Sequence, residues 1–289
     1  MIERITILGT GLIGASIGLA LRAAGFGGEI SGWDRQAEEA RRAFDRGALT
    51  AVTDDPEGAA RKADVIVLAT PVLGVLDWME RLVSVLGPGQ LLTDVGSTKR
   101  EIAEAARRLY PARAEGASRQ SAEVLPGHPM AGKERGGAEL AEAELFRGAM
   151  WLFTPVEGDG SELEEEWRGW VGRMGARMMD MEAARHDELC AWVSHLPQMV
   201  ATAMAAMFEE RFGESDEVTA VGGRALREMT RLGASPYSMW RDVAMTNTVA
   251  VAETLSALEQ ELAYVRENLR TPELREEFVR ANRFRGRRG

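Results

Sequence analysis

The stretch ERITILGTGLIGASIG, residues 3–18, decides the fold. An apolar run ends at Leu8. Glycines follow at Gly9, Gly11 and Gly14, and apolar residues then recur at helical spacing. A lone G-x-G-x-x-G is a weak signal, but between a strand and a helix each glycine has a separate job. Gly9 permits a tight turn, Gly11 lets a phosphate approach the main chain, and Gly14 lets helix and strand pack closely. Leu12 and Ile13 open the helix, where free N–H groups and the helix dipole favour an anion. The stretch therefore predicts a dinucleotide site on a Rossmann-type sheet. A plain glycine turn is the bland reading of the same residues.

Working outward, short apolar runs alternate with amphipathic stretches of helical period. GEISGWD, ADVIVLATP and QLLTDVGS read as further strands, with helices from about 12 to 24 and 72 to 86. Residues 123–126, AMWLFTP and ARMMDM are later strand candidates. This pattern predicts βαβ units and a parallel sheet. Asp34 ends the second strand, where a carboxylate can accept both ribose hydroxyls of an adenosine and would repel a 2′-phosphate. NAD is therefore expected over NADP, although the adjacent Arg35 could pair with a phosphate. Thr70 and Pro71 end the third strand and Ser97 the fourth. Ligands of such sheets bind beyond the C-terminal strand ends, so these residues should line the cofactor crevice.

From about residue 183 the strand signals stop. Leu189, Trp192, Val193, Leu196, Met199, Val200, Ala203, Met204 and Met207 recur at three and four residues, as one buried face of a long helix. Pro197 lies within it and predicts a kink. A second long helix is expected over 237–268. The chain thus reads as an α/β Rossmann-type dinucleotide-binding domain, residues 1–182, followed by an all-α dimerisation and substrate domain, residues 183–289. Long apolar helices with few partners of their own point to a symmetric homodimer.

Bulk properties narrow the partners. The chain has 289 residues, 45% of them hydrophobic and 28% charged, with net charge −10. That composition predicts a folded protein and argues against nucleic acid as the main partner. The basic tail RFRGRRG is short and reads as a solvated end. No apolar run approaches a membrane span and no secretory leader is visible, so no membrane partner and a cytoplasmic location are expected. The single cysteine, Cys190, excludes an internal disulfide and reads as a buried inert thiol.

Few residues are candidates for chemistry. His128 is one of three histidines and sits in VLPGHPMAG, residues 124–132, a segment with little helix or strand character. A ring held between Gly127 and Pro129 is aimed by the backbone. Following a late strand of the sheet, it should project toward the crevice and take a proton from an alcohol as hydride leaves. A satisfied core histidine is the alternative. Ser97 could bond near the nicotinamide, or cap a helix beginning at Thr98. Lys99 could lie on a helix surface or add charge to the site. His186 and His195 are nine residues apart and on roughly opposite sides of a helix, so no metal pair or zinc set is expected. Arg231 has a fork suited to a substrate carboxylate. Glu228, three residues earlier, could orient Arg231 or meet a cationic group on a substrate. Lys133 and Glu134 could reach the pocket mouth or face water.

GTGLIGASIG, LATP, DVGSTK, GHPMAG, HDxxxxxxSHLP and TR…SPxxMWRD occur in that order from Ile5 to about Asn247. The ordered set resembles the prephenate/arogenate dehydrogenases of tyrosine biosynthesis. The resemblance implies NAD-dependent oxidative decarboxylation of a cyclohexadienol. His128 would accept the ring hydroxyl proton and Ser97 would help hold that hydroxyl. Arg231 would bind a substrate carboxylate, and His195 would build the pocket from the helical side. Many members have a histidine where this chain has Gln198, which can hydrogen-bond to substrate but carries no charge. With Glu228 nearby, the ammonium of arogenate is expected to be accepted. Competing readings are another two-domain dehydrogenase, of β-hydroxyacid or imine-reducing type, and an NAD-sensing protein without catalysis.

Overall fold

A computed structural model describes residues 1–111, 121–156 and 160–287. Its first part alternates strand and helix. The elements are β1 (Arg4–Leu8), α1 (Leu12–Ala23), β2 (Glu29–Trp33), α2 (Ala37–Asp45), β3 (Ala51–Val52), α3 (Pro56–Lys62) and β4 (Val65–Leu68). Next come α4 (Val72–Leu82), β5 (Leu91–Asp94), α5 (Arg100–Leu109) and β6 (Glu123–Leu125). These six strands form one parallel sheet in the order β3-β2-β1-β4-β5-β6. The central strands are apolar on both faces. Ile5, Ile7, Val65 and Val67 join one buried cluster with Ile17, Leu21 and Trp167, while Leu8, Ile66 and Leu68 join another with Trp78, Leu82 and Ile102. Continuous apolar runs therefore mark strands covered by helices on both sides.

A second, three-stranded sheet was not foreseen. It comprises β7 (Gly127–Pro129), β8 (Met150–Phe153) and β9 (Arg177–Asp180), with α6 (Glu162–Arg173) between the last two. β7 runs antiparallel to β8, pairing His128 with Leu152. His128 is thus in a strand of a separate sheet, not in a loop after the main one. Pro129 is tolerated because β7 is an edge strand.

The remainder is helical: α7 (Ala183–Cys190), a π turn (Ala191–His195), α8 (Leu196–Phe212), α9 (Asp216–Thr230) and a 3-10 turn (Arg231–Ala234). It ends with α10 (Tyr237–Thr246), α11 (Thr248–Glu267) and α12 (Glu273–Gly286). The kink expected at Pro197 takes the form of the π turn, which accommodates the missing N–H at the start of α8. The long helix expected over 237–268 is two helices, broken at Asn247.

The apolar stripe expected to be buried also faces differently. Ala183, His186, Asp187, Cys190, Ala191, His195, Gln198 and Ala201 are the buried positions from α7 through α8, whereas Trp192, Val193 and Met207 are about half exposed in the single chain. The inner face carries the polar residues; in α7 it meets α5 of the first part, and in α8 it meets the turn at 231–234. Among the described residues no helix is long and apolar enough to cross a membrane.

Candidate active site

The glycine turn has the shape its sequence demands. Gly9 has φ +97°, and a Cβ there would lie 2.5 Å from the Ala69 carbonyl oxygen. A Cβ on Gly14 would lie 1.9 Å from the Gly9 carbonyl oxygen, whereas one on Gly11 would meet nothing within 4 Å. Space is thus closed where helix meets strand and open where a ligand would approach. α1 begins at Leu12 with no side-chain cap, leaving its first-turn N–H groups for an anion. The Oγ1 atoms of Thr10 and Thr70 are buried without a protein partner. These features fit a dinucleotide. Asp34 stands at the end of β2, and its carboxylate accepts the N–H groups of Thr10 (2.8 Å) and Gln36 (2.9 Å). Arg35 and Pro71 are exposed.

Across the crevice end of β5 lies a buried polar cluster. The Lys99 ammonium is wholly buried and ion-pairs with Asp94. Burial lowers the Lys99 pKa, and Asp94 opposes that shift. Asp94 also accepts the N–H groups of Gly96 (2.7 Å) and Gly127 (3.2 Å), tying the strand that carries His128 to the end of β5. Lys99 is therefore a core residue and not a helix-surface one. Ser97 is half-buried in the same turn. It does not cap a helix at Thr98: α5 begins at Arg100 without a cap from its own chain segment. The Asp187 carboxylate performs that task from α7, accepting the N–H groups of Lys99 (2.7 Å) and Arg100 (2.9 Å).

All three histidines are buried and converge here. His128 Nδ1 lies 2.9 Å from His186 Nε2, and His186 Nδ1 lies 2.8 Å from Asp187 Oδ1. Burial pushes the His128 pKa well below its ordinary value, helped by His186, Lys99 and His195. Burial also lowers His186, against the pull of Asp187. His195 is pushed down to about 4 by burial. Burial would raise Asp187, but hydrogen bonds from His186 and the Arg100 and Lys99 main chain outweigh it and hold the carboxyl below its usual range. His195 Nδ1 is 3.3 Å from Asn247 Nδ2, and its ring meets Trp240 edge-on at 5.9 Å.

Spacing along the chain hid one juxtaposition. His128, His186 and Cys190 bring ligand-type atoms within 4.8 Å of one another. The two rings face at hydrogen-bond distance, and burial pushes the Cys190 thiol up to about 12, so it is held as a thiol rather than a metal-binding thiolate.

The remaining candidates have partners of their own. Glu228 is exposed and pairs with Arg224, four residues back (2.6 Å). It does not orient Arg231, because α9 ends at Thr230 and the chain tightens into the 3-10 turn. Arg231 instead ion-pairs with Glu134, from the segment after β7. Gln198 is buried with its amide engaged: Nε2 donates to Leu232 O (2.7 Å) and Thr202 Oγ1 (3.1 Å), while Oε1 accepts from Ser235 (3.2 Å). It braces the turn that carries Arg231 rather than presenting a free amide. Lys133 donates to Leu140 O (2.9 Å) and Glu142 (2.6 Å), away from Arg231.

Two sequence models of one family match the chain in succession. "Prephenate dehydrogenase, nucleotide-binding domain" covers residues 17–180, and "Prephenate dehydrogenase, dimerization domain" covers 182–283. The chain belongs to the prephenate dehydrogenase family. A prephenate dehydrogenase of Lactococcus lactis is 31% identical over 261 residues, 90% of this chain and 69% of that protein. Among solved structures, prephenate dehydrogenase from A. aeolicus in complex with hydroxyphenyl propionate and NAD+ superposes with TM-score 0.85. It is 25% identical and covers 100% of this chain and 97% of that one. Synechocystis arogenate dehydrogenase superposes with TM-score 0.77 at 28% identity, covering 99% and 100%. Family membership displaces the β-hydroxyacid, imine-reducing and sensor readings. His128 follows Gly127, whose N–H is bonded to Asp94 at the C-terminal end of β5.

Proposed function

We infer that the protein catalyses NAD-dependent oxidative decarboxylation of prephenate or arogenate. The observation that carries this reading is His128, a buried imidazole kept neutral beside the glycine-turn crevice. A bound NAD would accept the hydride leaving the ring carbon. Gly9, Gly11, Gly14, Leu12 and Ile13 would hold its pyrophosphate, Asp34 its ribose, and a polar group of the cofactor would give the buried Thr70 Oγ1 the partner that atom lacks.

His128 takes the proton of the ring 4-hydroxyl as the C4–H bond breaks and C4=O forms. The C1–carboxylate bond then breaks, its electron pair enters the ring, and carbon dioxide leaves. His128 returns the proton to the phenolate oxygen, so it serves as base and then acid in one turnover. Ser97 steadies the hydroxyl. Arg231 pairs with a substrate carboxylate, which must compete with Glu134. His195, neutral at physiological pH, lines the pocket from the helical side.

Residues 1–182 serve the cofactor. Residues 183–289 pair two copies through Trp192, Val193, Met207 and Val249, all exposed in the single chain. A free, buried cysteine suits a cytoplasmic location. Glu228 no longer supports arogenate over prephenate, because it pairs with Arg224. Absorbance at 340 nm with prephenate or arogenate, each with NAD or NADP, tests the reading. Reduction with an NAD pairing is expected, and silence in all four from folded protein would overturn it.

A further inference from the structure

Resting on that reading of His128, we propose that His186 and Asp187 are positioning residues that fix the tautomer of His128. Its proton is held on Nδ1 and its lone pair on Nε2, the atom that receives the substrate proton.

Donor and acceptor chemistry propagates along the chain of contacts. Asp187 is anchored by two main-chain N–H groups at the start of α5, at 2.7 and 2.9 Å. An ionised carboxylate only accepts. His186 Nδ1, 2.8 Å away, must therefore carry hydrogen. A neutral imidazole carries one such hydrogen, so His186 Nε2 is an acceptor. His128 Nδ1, 2.9 Å from it, must then donate, leaving the lone pair of His128 on Nε2. The opposite tautomer of His128 would set two lone pairs against each other at that distance.

Every neighbour agrees. Cys190 Sγ, 3.5 Å from His186 Nε2, is a thiol and can only add a weak donor to the same lone pair. Lys99 and His195, the other groups facing His128, disfavour an imidazolium there. Asp94, which also faces His186, is ion-paired with Lys99. The proton of turnover passes only between the substrate oxygen and His128 Nε2. The Nδ1–H bond to His186 stays in place throughout, and when His128 is briefly charged that bond strengthens. In serine hydrolases a buried aspartate holds the catalytic imidazole directly, and its conversion to asparagine costs on the order of 10⁴ in kcat through the wrong tautomer. Here one more imidazole stands between carboxylate and base.

The test compares His186→Leu and His186→Gln in the full-length protein, with His128→Ala as reference. Glutamine can place a carbonyl oxygen where His186 Nε2 stood; leucine cannot. His186→Leu should lose at least 100-fold in kcat with KM for NAD within about twofold of the parent, and His186→Gln should recover at least tenfold of that loss. In parallel, ¹⁵N spectra of the unsubstituted protein should show His128 protonated on Nδ1. A His128 protonated on Nε2, or a His186→Leu enzyme with parental kcat, would overturn the proposal. If His128→Ala itself kept full activity, the reading of His128 as the base would fall instead. Should His186→Leu not fold, the ¹⁵N spectrum and His186→Gln decide.

Discussion

Acidification should destabilise this protein well before its ordinary carboxylates titrate. His128 and His195 are held neutral in the native state, His195 with a pKa near 4. In the unfolded chain each takes up a proton near pH 6.5. Because the folded pKa is the lower one, the unfolded state binds more protons as pH falls. The stability these rings contribute is present above pH 6.5 and is lost on acidification. For His195 the loss levels off once the pH passes about 4. From pH 7.5 to 5.5, His195, which stays neutral when folded, costs about 1.4 kcal/mol, and His128, lowered in the same direction, adds to this. So does His186, which burial also lowers. The His195 share alone is a sizeable part of the roughly 5–15 kcal/mol typical of a fold. Equilibrium urea unfolding at both pH values and one protein concentration measures it, and NMR titration of only three histidines assigns it. A fall under about 1 kcal/mol, with all three rings titrating near 6.5, would refute the reasoning.

Gly14→Ala should reduce NAD affinity at least tenfold and cost roughly 1–3 kcal/mol of stability through overpacking, because its Cβ would meet the Gly9 carbonyl oxygen at 1.9 Å; calorimetric titration and thermal melts read both. Arg231→Ala should raise KM for the cyclohexadienol at least tenfold and leave KM for NAD unchanged. Glu134→Gln, which removes the competing carboxylate, should lower the KM for the cyclohexadienol or leave it as it is; steady-state kinetics separates the two. Val193→Glu should shift the protein toward monomer in sedimentation, since Val193 is 55% exposed in the single chain and follows the exposed Trp192.

How legible these features were depends on the range of the interactions. The glycine turn, the apolar strands and the alternation of elements are local, so their residues announce them. Gly9 and Gly14 leave no other economical reading once a strand precedes and a helix follows. The second sheet was hidden because β7 is three residues long and includes a proline, which no periodicity can mark. Glu228 and Arg231 were paired by ideal helical spacing, but helix geometry ends at Thr230, and Arg231 turns to Glu134, 97 positions away in sequence. The apolar face of α7 and α8 was legible as a face, yet its occupant was not: burial inside one chain selects the other side, where His186, Asp187, His195 and Gln198 lie. Buried polar residues on a helix were the available signal. His186 and Asp187, both buried in α7, called for partners beyond each other, and His128, Lys99 and Arg100 supply them from far along the chain.

Directional bonds cross the junction between the two halves. Asp187 caps α5 with its carboxylate and receives the Asn247 amide on its carbonyl oxygen at 2.9 Å. Thr98 bonds Thr246 at 2.7 Å, and Leu73 N–H donates to Asp242 at 3.2 Å. Hydrogen bonds weaken steeply with misalignment, whereas apolar contacts tolerate sliding. A junction built this way fixes the angle between α5, α7 and α10 as well as their distance. Asn247, at the break between α10 and α11, interrupts a helix that could have continued, and its amide spans Asp187 and His195. That break is the local cost of registering the helical half against β7. In the proposed mechanism His128 depends on such registration, because its ring is carried by one half and its Nδ1 partner by the other.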